Sequence, residues 1–347
     1  MRVLIDTTYA LRGPSGTAVY LERLVPALRA LGVEVVEAAN HARRGPGSGR
    51  AASARNFAAD RAWEAAGLPR HARESNADLV HHPLPALSPG TGDTPQVVTV
   101  HDLAFETVPE CFDPRFRRWA SVSHRAAARR AGAVVAVSAS TAADAVRRWG
   151  LAPERLVVAH HGPGQVDGPP VGTRERPRHF LYVGDDEPRK RVGLLRDAHR
   201  LYRERSPQDA LPLVVAGSAR LPGARTEPAP TGARLRELYA QAAALVHPSR
   251  AEGFGLTVLE AMASGTPVIA APCDGVQETC DGAALVAGDV DAMAAAMARV
   301  ADDPGLAEDL RRRGLRRATD FSWARSAARH VEAYALAVAR PQEARCA

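Results

Sequence analysis

Most of the residues in this chain that could do chemistry fall in one stretch, LVHPSRAEGFGLTVLEAMASGTPVIA, at 245–270. A strand-like run ends in Pro248-Ser249. A loop then carries Glu252-Gly253-Phe254-Gly255, and a helical run starts near Leu256 and Thr257. Two glycines just ahead of a helix let the backbone approach a ligand closely. The free N–H groups of the first helical turn then form an anion site. A carboxylate in that loop would partly repel the anion, so Glu252 is expected to address a neutral hydroxyl-bearing group beside it. Glu260 follows on the same helix and is expected to reach another hydroxylated group on the far side of the ligand. Two carboxylates flanking a phosphate-binding helix start suit a sugar–diphosphate–ribose ligand.

A second site candidate is cationic. The chain has 44 Arg and a single Lys, Lys190, in Glu187-Pro-Arg189-Lys190 after the strand-like Phe180-Leu-Tyr-Val183. An ammonium and a planar guanidinium differ in size and geometry, so a sole Lys is consistent with a site where Arg will not serve. Cations at a helix start oppose its dipole, which a bound anion would explain. His101-Asp102 ends another strand-like run, Gln96–Val100. His81-His82 and His160-His161 also end strands; without metal-type partners they read as site lining or local hydrogen bonding. Asp289-Val-Asp291 precedes a helical run, where Asp is an N-cap and first-turn residue. Cys111, Cys273, Cys280 and Cys346 form no C-x-x-C and no zinc spacing, so reduced thiols and no metal are expected.

These residues need a frame. Short apolar runs alternate with amphipathic helical runs through 347 residues. Strands are expected at 3–5, 33–36, 78–82, 96–100, 133–137 and 156–159, with helices near 17–31, 115–131 and 140–149. The segments 40–60 and 84–95 read as loops. After the Gly/Pro-rich stretch 162–177 the pattern restarts. Strands are expected at 180–183, 213–216, 244–247 and 267–270, with helices at 190–205, 231–243, 256–264, 290–302, 305–318 and 322–339. No strand is expected between Ala216 and the helix at 231, where the sequence is GSARLPGARTEPAPTG. Strand–helix alternation on both sides of a linker means two parallel-sheet α/β domains. In such sheets ligands sit at the carboxyl ends of strands. The expected division is a first domain at 1–164, a linker at 165–177, a second domain at 178–322 and a C-terminal helical segment at 323–347.

Composition narrows the classes. No apolar run approaches the roughly 18 residues of a membrane helix. The start MRVLIDTTYA reads as a strand rather than a leader, giving a cytoplasmic expectation. The net charge is +6, but Arg is dispersed without basic arms, so nucleic acid is not an expected partner. Residues 116–130 combine Arg117, Arg118, Arg125, Arg129 and Arg130 with Trp119. A solvated helix face and weak contact with the inner surface of an anionic membrane are both open there. Gly13-Pro-Ser-Gly16-Thr17 is not G-x-G-x-x-G, so a dinucleotide-fold dehydrogenase is not supported.

The segment EGFGLTVLEAMASGTPV resembles the E-x7-E element of retaining glycosyltransferase family 4, with Glu252 and Glu260 as its two carboxylates. Tyr182-Val-Gly184 with Glu187-Pro-Arg-Lys190, Val100-His-Asp-Leu103, Ser138 with Thr141, and Phe321-Ser-Trp323 resemble further segments of that family. The resemblance implies a GT-B fold: two Rossmann-like parallel-sheet domains facing a cleft, with the last helix crossing back to the first domain. It implies retaining transfer of a hexose from a nucleotide sugar to a glycan, lipid-linked or natural-product hydroxyl, with no metal or other cofactor. By the same resemblance Glu252 orients the sugar and Glu260 the ribose. Arg189, Lys190, Gly16 and the helix start hold the diphosphate. His101 contacts the transferred sugar or the acceptor, Glu278 lies near the donor, and Asp102 and Ser138 line the acceptor side. Many relatives carry Arg directly after the glycine; here that position is Asp185, so Arg189 takes the role. The alternatives are a sugar-nucleotide epimerase of the same fold and a non-catalytic sugar-nucleotide-binding protein. An epimerase would convert donor without acceptor; a binding protein would hold donor without turnover.

Overall fold

A computed structural model describes residues 1–13, 15–43, 50–165 and 177–340. Most of the expected linker, 166–176, lies outside the described residues, as do Pro14 and Cys346. The chain divides into two units. One comprises Met1–Leu103, Pro114–His161 and the segment from Trp323; the other comprises Ala104–Asp113 and Gly162–Ser322.

In the first unit, strands β1 (Arg2–Asp6), β2 (Glu34–Ala38), β3 (Leu79–His82), β4 (Gln96–Val100), β5 (Ala133–Ala136) and β6 (Leu156–Val158) form one parallel sheet in the order β2-β1-β3-β4-β5-β6. Strands β3 and β5 are buried along their whole length. Helices cover both faces of a parallel sheet, which explains the unbroken apolar run of β5, whereas β3 ends in the buried His81 and His82. The helices are α1 (Gly16–Ala30), α2 (Arg50–Ala62), α3 (Leu68–Glu74), α5 (Pro114–Arg130), α6 (Ala139–Trp149) and α13 (Trp323–Ala339), while α4 (Ala104–Thr107) belongs to the second unit. Ser15 caps α1, accepting from Ala18 N–H at 3.1 Å. Leu21, Leu24 and Leu28 of α1 share a core with Ala327, Ala333, Tyr334 and Ala337 of α13. Each fully buried Leu contributes roughly 1.5–3 kcal/mol there. The expected loop at 40–60 is a helix over Arg50–Ala62 instead. Its sequence RAASARNFAADRA is Ala-rich and therefore helix-prone, yet it lacks a clear apolar stripe.

In the second unit, β7 (His179–Val183), β8 (Leu213–Ala216), β9 (Arg225–Glu227), β10 (Ala242–His247), β11 (Val268–Ala270) and β12 (Leu285–Val286) form a second parallel sheet. Its order is β12-β11-β10-β7-β8-β9. Helices α7 (Val192–Arg205), α8 (Gly232–Gln241), α9 (Leu256–Ala263), α10 (Asp274–Cys280), α11 (Val290–Asp302) and α12 (Pro304–Ala318) surround it. Asp289 and Asp303 cap α11 and α12 through Ala292 N–H and Leu306 N–H, so the Asp289 reading holds. The expectation of no strand between Ala216 and residue 231 is corrected by β9. It pairs with β8 in the register Val214↔Arg225, Val215↔Thr226, Ala216↔Glu227. As an edge strand it needs main-chain pairing rather than an apolar face. Glu227 is locked by a two-pronged bond from Arg234, at 2.8 and 2.7 Å.

Candidate active site

Strands β7 and β10 are neighbours in the sheet although 58 residues separate Val183 from Ala242 in sequence; chain order runs β7, β8, β9 on one side and returns as β10 on the other. That reversal opens a crevice beyond the carboxyl ends of β7 and β10, where open parallel sheets bind ligands. The loops that follow these two strands are tied to each other. Arg250 N–H donates to the Arg189 carbonyl at 2.9 Å. Arg189 Nη1 donates to the Ala251 carbonyl at 3.0 Å, and Arg191 Nε to the Pro248 carbonyl at 2.9 Å. Arg191 sits at φ 47°, ψ 45°, a left-handed conformation uncommon for a residue with a side chain. The bond to Pro248 helps fix this turn, which presents Arg189 and Lys190 to the crevice.

The two cations converge on one carboxylate. Lys190 Nζ donates to Glu252 Oε1, and Arg189 Nη1 lies 3.1 Å from Glu252 Oε2. All three side chains are 12–17% exposed, at the edge of solvent rather than sealed from it. Burial alone would raise the Glu252 carboxyl. The charges of Lys190 and Arg189, with His247, outweigh burial and hold it well below the usual carboxylate range. His247 ends β10, with Nε2 3.7 Å from Glu252 Oε1 and Nδ1 3.5 Å from Thr257 Oγ1. Burial pushes its imidazole down to about 4, and Lys190 and Arg189 push the same way against Glu252. It is therefore neutral near pH 7. Its Nε2 has no hydrogen-bond partner, and neither do the buried Ser249 Oγ and Asp185 Oδ1 in the same two loops.

The Glu252 loop is held from behind by the start of α10. Glu252 N–H donates to Cys273 Sγ at 3.1 Å, and Thr279 Oγ1 to the Phe254 carbonyl at 2.6 Å. A Cβ on Gly275 would stand 2.3 Å from the Glu252 carbonyl oxygen and 2.5 Å from that of Gly253, so only glycine permits this approach. Gly255, at φ 89°, ends the loop as the residue before α9. No side chain caps α9; the Gly255 carbonyl accepts from Val258 and Leu259 N–H at 3.0 and 3.1 Å, and the positive end of the helix dipole lies at Leu256 and Thr257. Glu260, one turn on, is only 1% exposed. Its Oε1 accepts from Gln165 N–H at 2.7 Å and its Oε2 from Tyr239 Oη at 2.9 Å. Burial and the adjacent Glu260 charge raise the Tyr239 phenol well above its ordinary value.

Residues 14–163 match the model described as Glycosyltransferase Family 4, and 177–303 match that described as Glycosyl transferases group 1. The O-antigen chain mannosyltransferase B of Escherichia coli is 30% identical over 267 residues, covering 69% of this chain and 70% of that protein. The chain belongs to glycosyltransferase family 4. The MMP alpha-(1->4)-mannosyltransferase of Mycolicibacterium hassiacum is 32% identical over 246 residues, covering 65% of this chain and 60% of that one. Among solved structures, sucrose-phosphate synthase of Thermosynechococcus elongatus superposes with a TM-score of 0.74 at 20% identity, covering 96% and 98% of the two chains. HepE of Anabaena, solved with UDP-glucose, gives 0.73 at 16% identity, covering 96% and 98%. These structural likenesses confirm the GT-B fold expected from the sequence.

Within this family-4 glycosyltransferase the structure gathers Glu252, Arg189 and Lys190 at one point, and Gly253, Gly255, Leu256 and Thr257 follow on the adjoining loop and helix start. Phe254 lies in the same loop. It is 4% exposed and packs edge-on against Phe321 at 5.5 Å, because the loop turns it inward. Glu278 is half-buried on α10, and its carbonyl accepts from Arg317 Nη2 at 2.7 Å. Gly16, His101, Asp102 and Ser138 lie in the first unit. Gly16 opens α1. Ser138 is an N-cap, accepting from Thr141 N–H at 3.0 Å and donating to Thr141 Oγ1 at 2.9 Å. His101 Nε2 donates to the Pro83 carbonyl at 3.0 Å, and its ring stands edge-on to Tyr20 at 5.0 Å. Burial lowers its imidazole, against the pull of Asp102. Cys111, Cys273 and Cys280 are free thiols; burial pushes Cys273 up to about 11 and Cys280 up to about 12. His247, Tyr239 and Gly275 carried no role in the sequence reading. The signal available was only that His247 ends the strand leading into the Glu252 loop.

Proposed function

We propose that this glycosyltransferase is a retaining, metal-independent enzyme that moves a hexose from a nucleotide sugar to an acceptor hydroxyl. The carrying observation is the pairing of Glu252 with both Lys190 and Arg189 at the reversal of the second sheet. In the free protein Glu252 pairs with both cations, and Glu187 pairs with Arg189 as well, at 2.7 Å. A donor diphosphate is the stronger anion for them and for the uncapped start of α9, and its arrival releases Glu252 to accept from a sugar hydroxyl. As the glycosidic bond breaks, negative charge grows on the departing nucleotide. Fixed cations and helix N–H groups stabilise that charge more in the transition state than in the ground state. The orphan atoms His247 Nε2, Ser249 Oγ and Asp185 Oδ1 support the same reading, since buried polar atoms without partners mark places where a ligand completes the bonding. The Glu260 oxygen now bonded by Gln165 N–H is assigned to a ribose hydroxyl. The acceptor hydroxyl attacks on the face the leaving group departs from, with a donor phosphate oxygen taking its proton, so no protein nucleophile is needed.

The test begins with thermal-shift screening against a panel of nucleotide sugars, since a bound donor raises the melting temperature by mass action. Transfer by the donor so identified is then followed in wild type and in Glu252→Gln. The reading requires product that keeps the donor's anomeric configuration, and a loss of about 10²–10³ in kcat for the variant. An inverted product or an undiminished Glu252→Gln enzyme refutes it.

A further inference from the structure

Helix α5 carries a surface that holds none of the residues assigned above to transfer. Its 17 residues, PRFRRWASVSHRAAARR, hold six arginines and no Asp or Glu. The helix buries only small side chains, Ala120, Ala127 and Ala128. Its outer face exposes Phe116, Trp119 and Val122, with Val122 72% open to solvent. Neighbouring α2 adds Phe57, 48% exposed, whose ring meets Trp119 edge-on at 5.9 Å; Trp119 meets Phe116 at 6.0 Å. The guanidinium of Arg61 lies over both Phe57 and Trp119, at 5.5 and 5.9 Å from the ring centres. The result is an aromatic knot at the surface, joined along α5 by Arg118, Arg125 and Arg129 at helical spacing.

We infer that this face of α2 and α5 seats the protein on an anionic lipid bilayer. Two features choose that occupant. The helix carries six arginines and no carboxylate of its own, which complements anionic headgroups at about 1 kcal/mol per arginine near the surface, or about fivefold in affinity. Three of the face's four exposed apolar residues, Phe57, Phe116 and Trp119, are aromatic, and such side chains lie at the headgroup level. A purely polyanionic partner would leave Phe57, Phe116, Trp119 and Val122 in water.

The test is flotation of the full chain with phosphatidylcholine vesicles, with and without phosphatidylglycerol. Binding is expected only to the anionic vesicles, and to weaken with added salt. Arg118→Glu with Arg125→Glu is expected to reduce it by at least about 25-fold. Trp119→Ala is expected to reduce it severalfold, and vesicles should blue-shift the wild-type fluorescence more than that of Trp119→Phe. All these positions are at the surface, so unchanged circular dichroism separates lost binding from misfolding. Equal binding to neutral and anionic vesicles, or none to either, overturns the inference. So does binding that the arginine pair controls but Trp119→Ala leaves untouched, which points to a soluble polyanion instead.

Discussion

The two units each hold a polar cluster, and the two are built on opposite principles. In the first unit Tyr20 Oη meets His330 Nε2 at 2.8 Å and Thr99 Oγ1 at 2.9 Å. Thr99 in turn meets His81 Nε2 at 2.8 Å, and His81 Nδ1 meets Tyr334 Oη at 2.8 Å. Each of these residues is 0% exposed. Burial lowers His81 well below its ordinary value and His330 to about 4, so the cluster is neutral. In the second unit Glu252, Lys190 and Arg189 remain charged at the rim of a crevice, beside polar atoms with no partner. A buried neutral network whose members bond one another fixes a core. Charges held together at strand ends, with bonding capacity to spare, await a ligand. The contrast is the ground on which we propose chemistry for one cluster and structure for the other.

The sharpest way to break that contrast is to remove a member of each. Lys190→Ala is expected to lower kcat/KM for transfer by about 10²–10³, the loss typical of one group that stabilises developing charge. It strands Glu252 without its nearest cation but leaves the fold intact by circular dichroism. A Lys190→Ala enzyme with full activity would return the charged cluster to a merely structural status.

Acid should act on both units through histidines that burial holds neutral, His330 in the first and His247 in the second, each lowered to about 4. His330 binds a proton near pH 6.5 when unfolded and only near pH 4 when folded. Between those values the unfolded chain holds more protons, so its share of stability is full above about pH 6.5 and falls as pH drops. By pH 4 the loss from this one group is on the order of 3 kcal/mol. Urea unfolding across pH 4–7 checks this, and His330→Leu is expected to flatten the slope. Glu252 is shifted in the same direction, but over a more acid window. Its stabilising share is present above the unfolded carboxyl range and disappears only as pH falls through its depressed folded value. A donor-affinity profile that His330→Leu changes would merge the two clusters into one functional system.

Tyr20→Phe probes the neutral network more gently. It removes one hydroxyl while Thr99 and His330 stay buried, which is expected to destabilise by about 1–3 kcal/mol in urea unfolding. Donor affinity is expected to stay within twofold. A reversed outcome, stable protein with lost donor binding, would mean that the buried network reaches the reaction.

The sequence disclosed these clusters unequally. Glu252, Gly255 and Glu260 lie within nine consecutive residues, so local spacing was enough to mark them. Lys190 stood out by being alone. What brings Lys190 to Glu252 is the parallel pairing of β7 with β10, which spacing does not reveal. The Tyr20 network is less legible still, because its members come from α1, β3, β4 and α13, up to 310 residues apart. Strand β9 was missed since an edge strand held by main-chain bonds needs no apolar pattern, and α2 was missed because Ala-rich sequence without a stripe resembles a loop. The Glu260 carboxylate was expected at a ligand. Its enclosure by Tyr239 and the Gln165 amide depends on a long-range approach that no local signal encodes.

The smallest expected effect concerns the lone lysine. Arg at 190 would keep the charge but spread it over a plane, and the Glu252 oxygen that Lys190 meets would face a wider group. Arg189 already supplies one guanidinium to the same carboxylate, at 3.1 Å from Oε2. Two guanidiniums on one carboxylate leave less room for a diphosphate than one guanidinium and one compact ammonium. Lys190→Arg is therefore expected to raise KM for donor by about tenfold, equivalent to about 1.4 kcal/mol, with kcat less affected. Steady-state kinetics with varied donor measure that split. If Arg restores wild-type KM and kcat together, the cluster requires only positive charge, and the single lysine among 45 basic residues reflects composition rather than geometry.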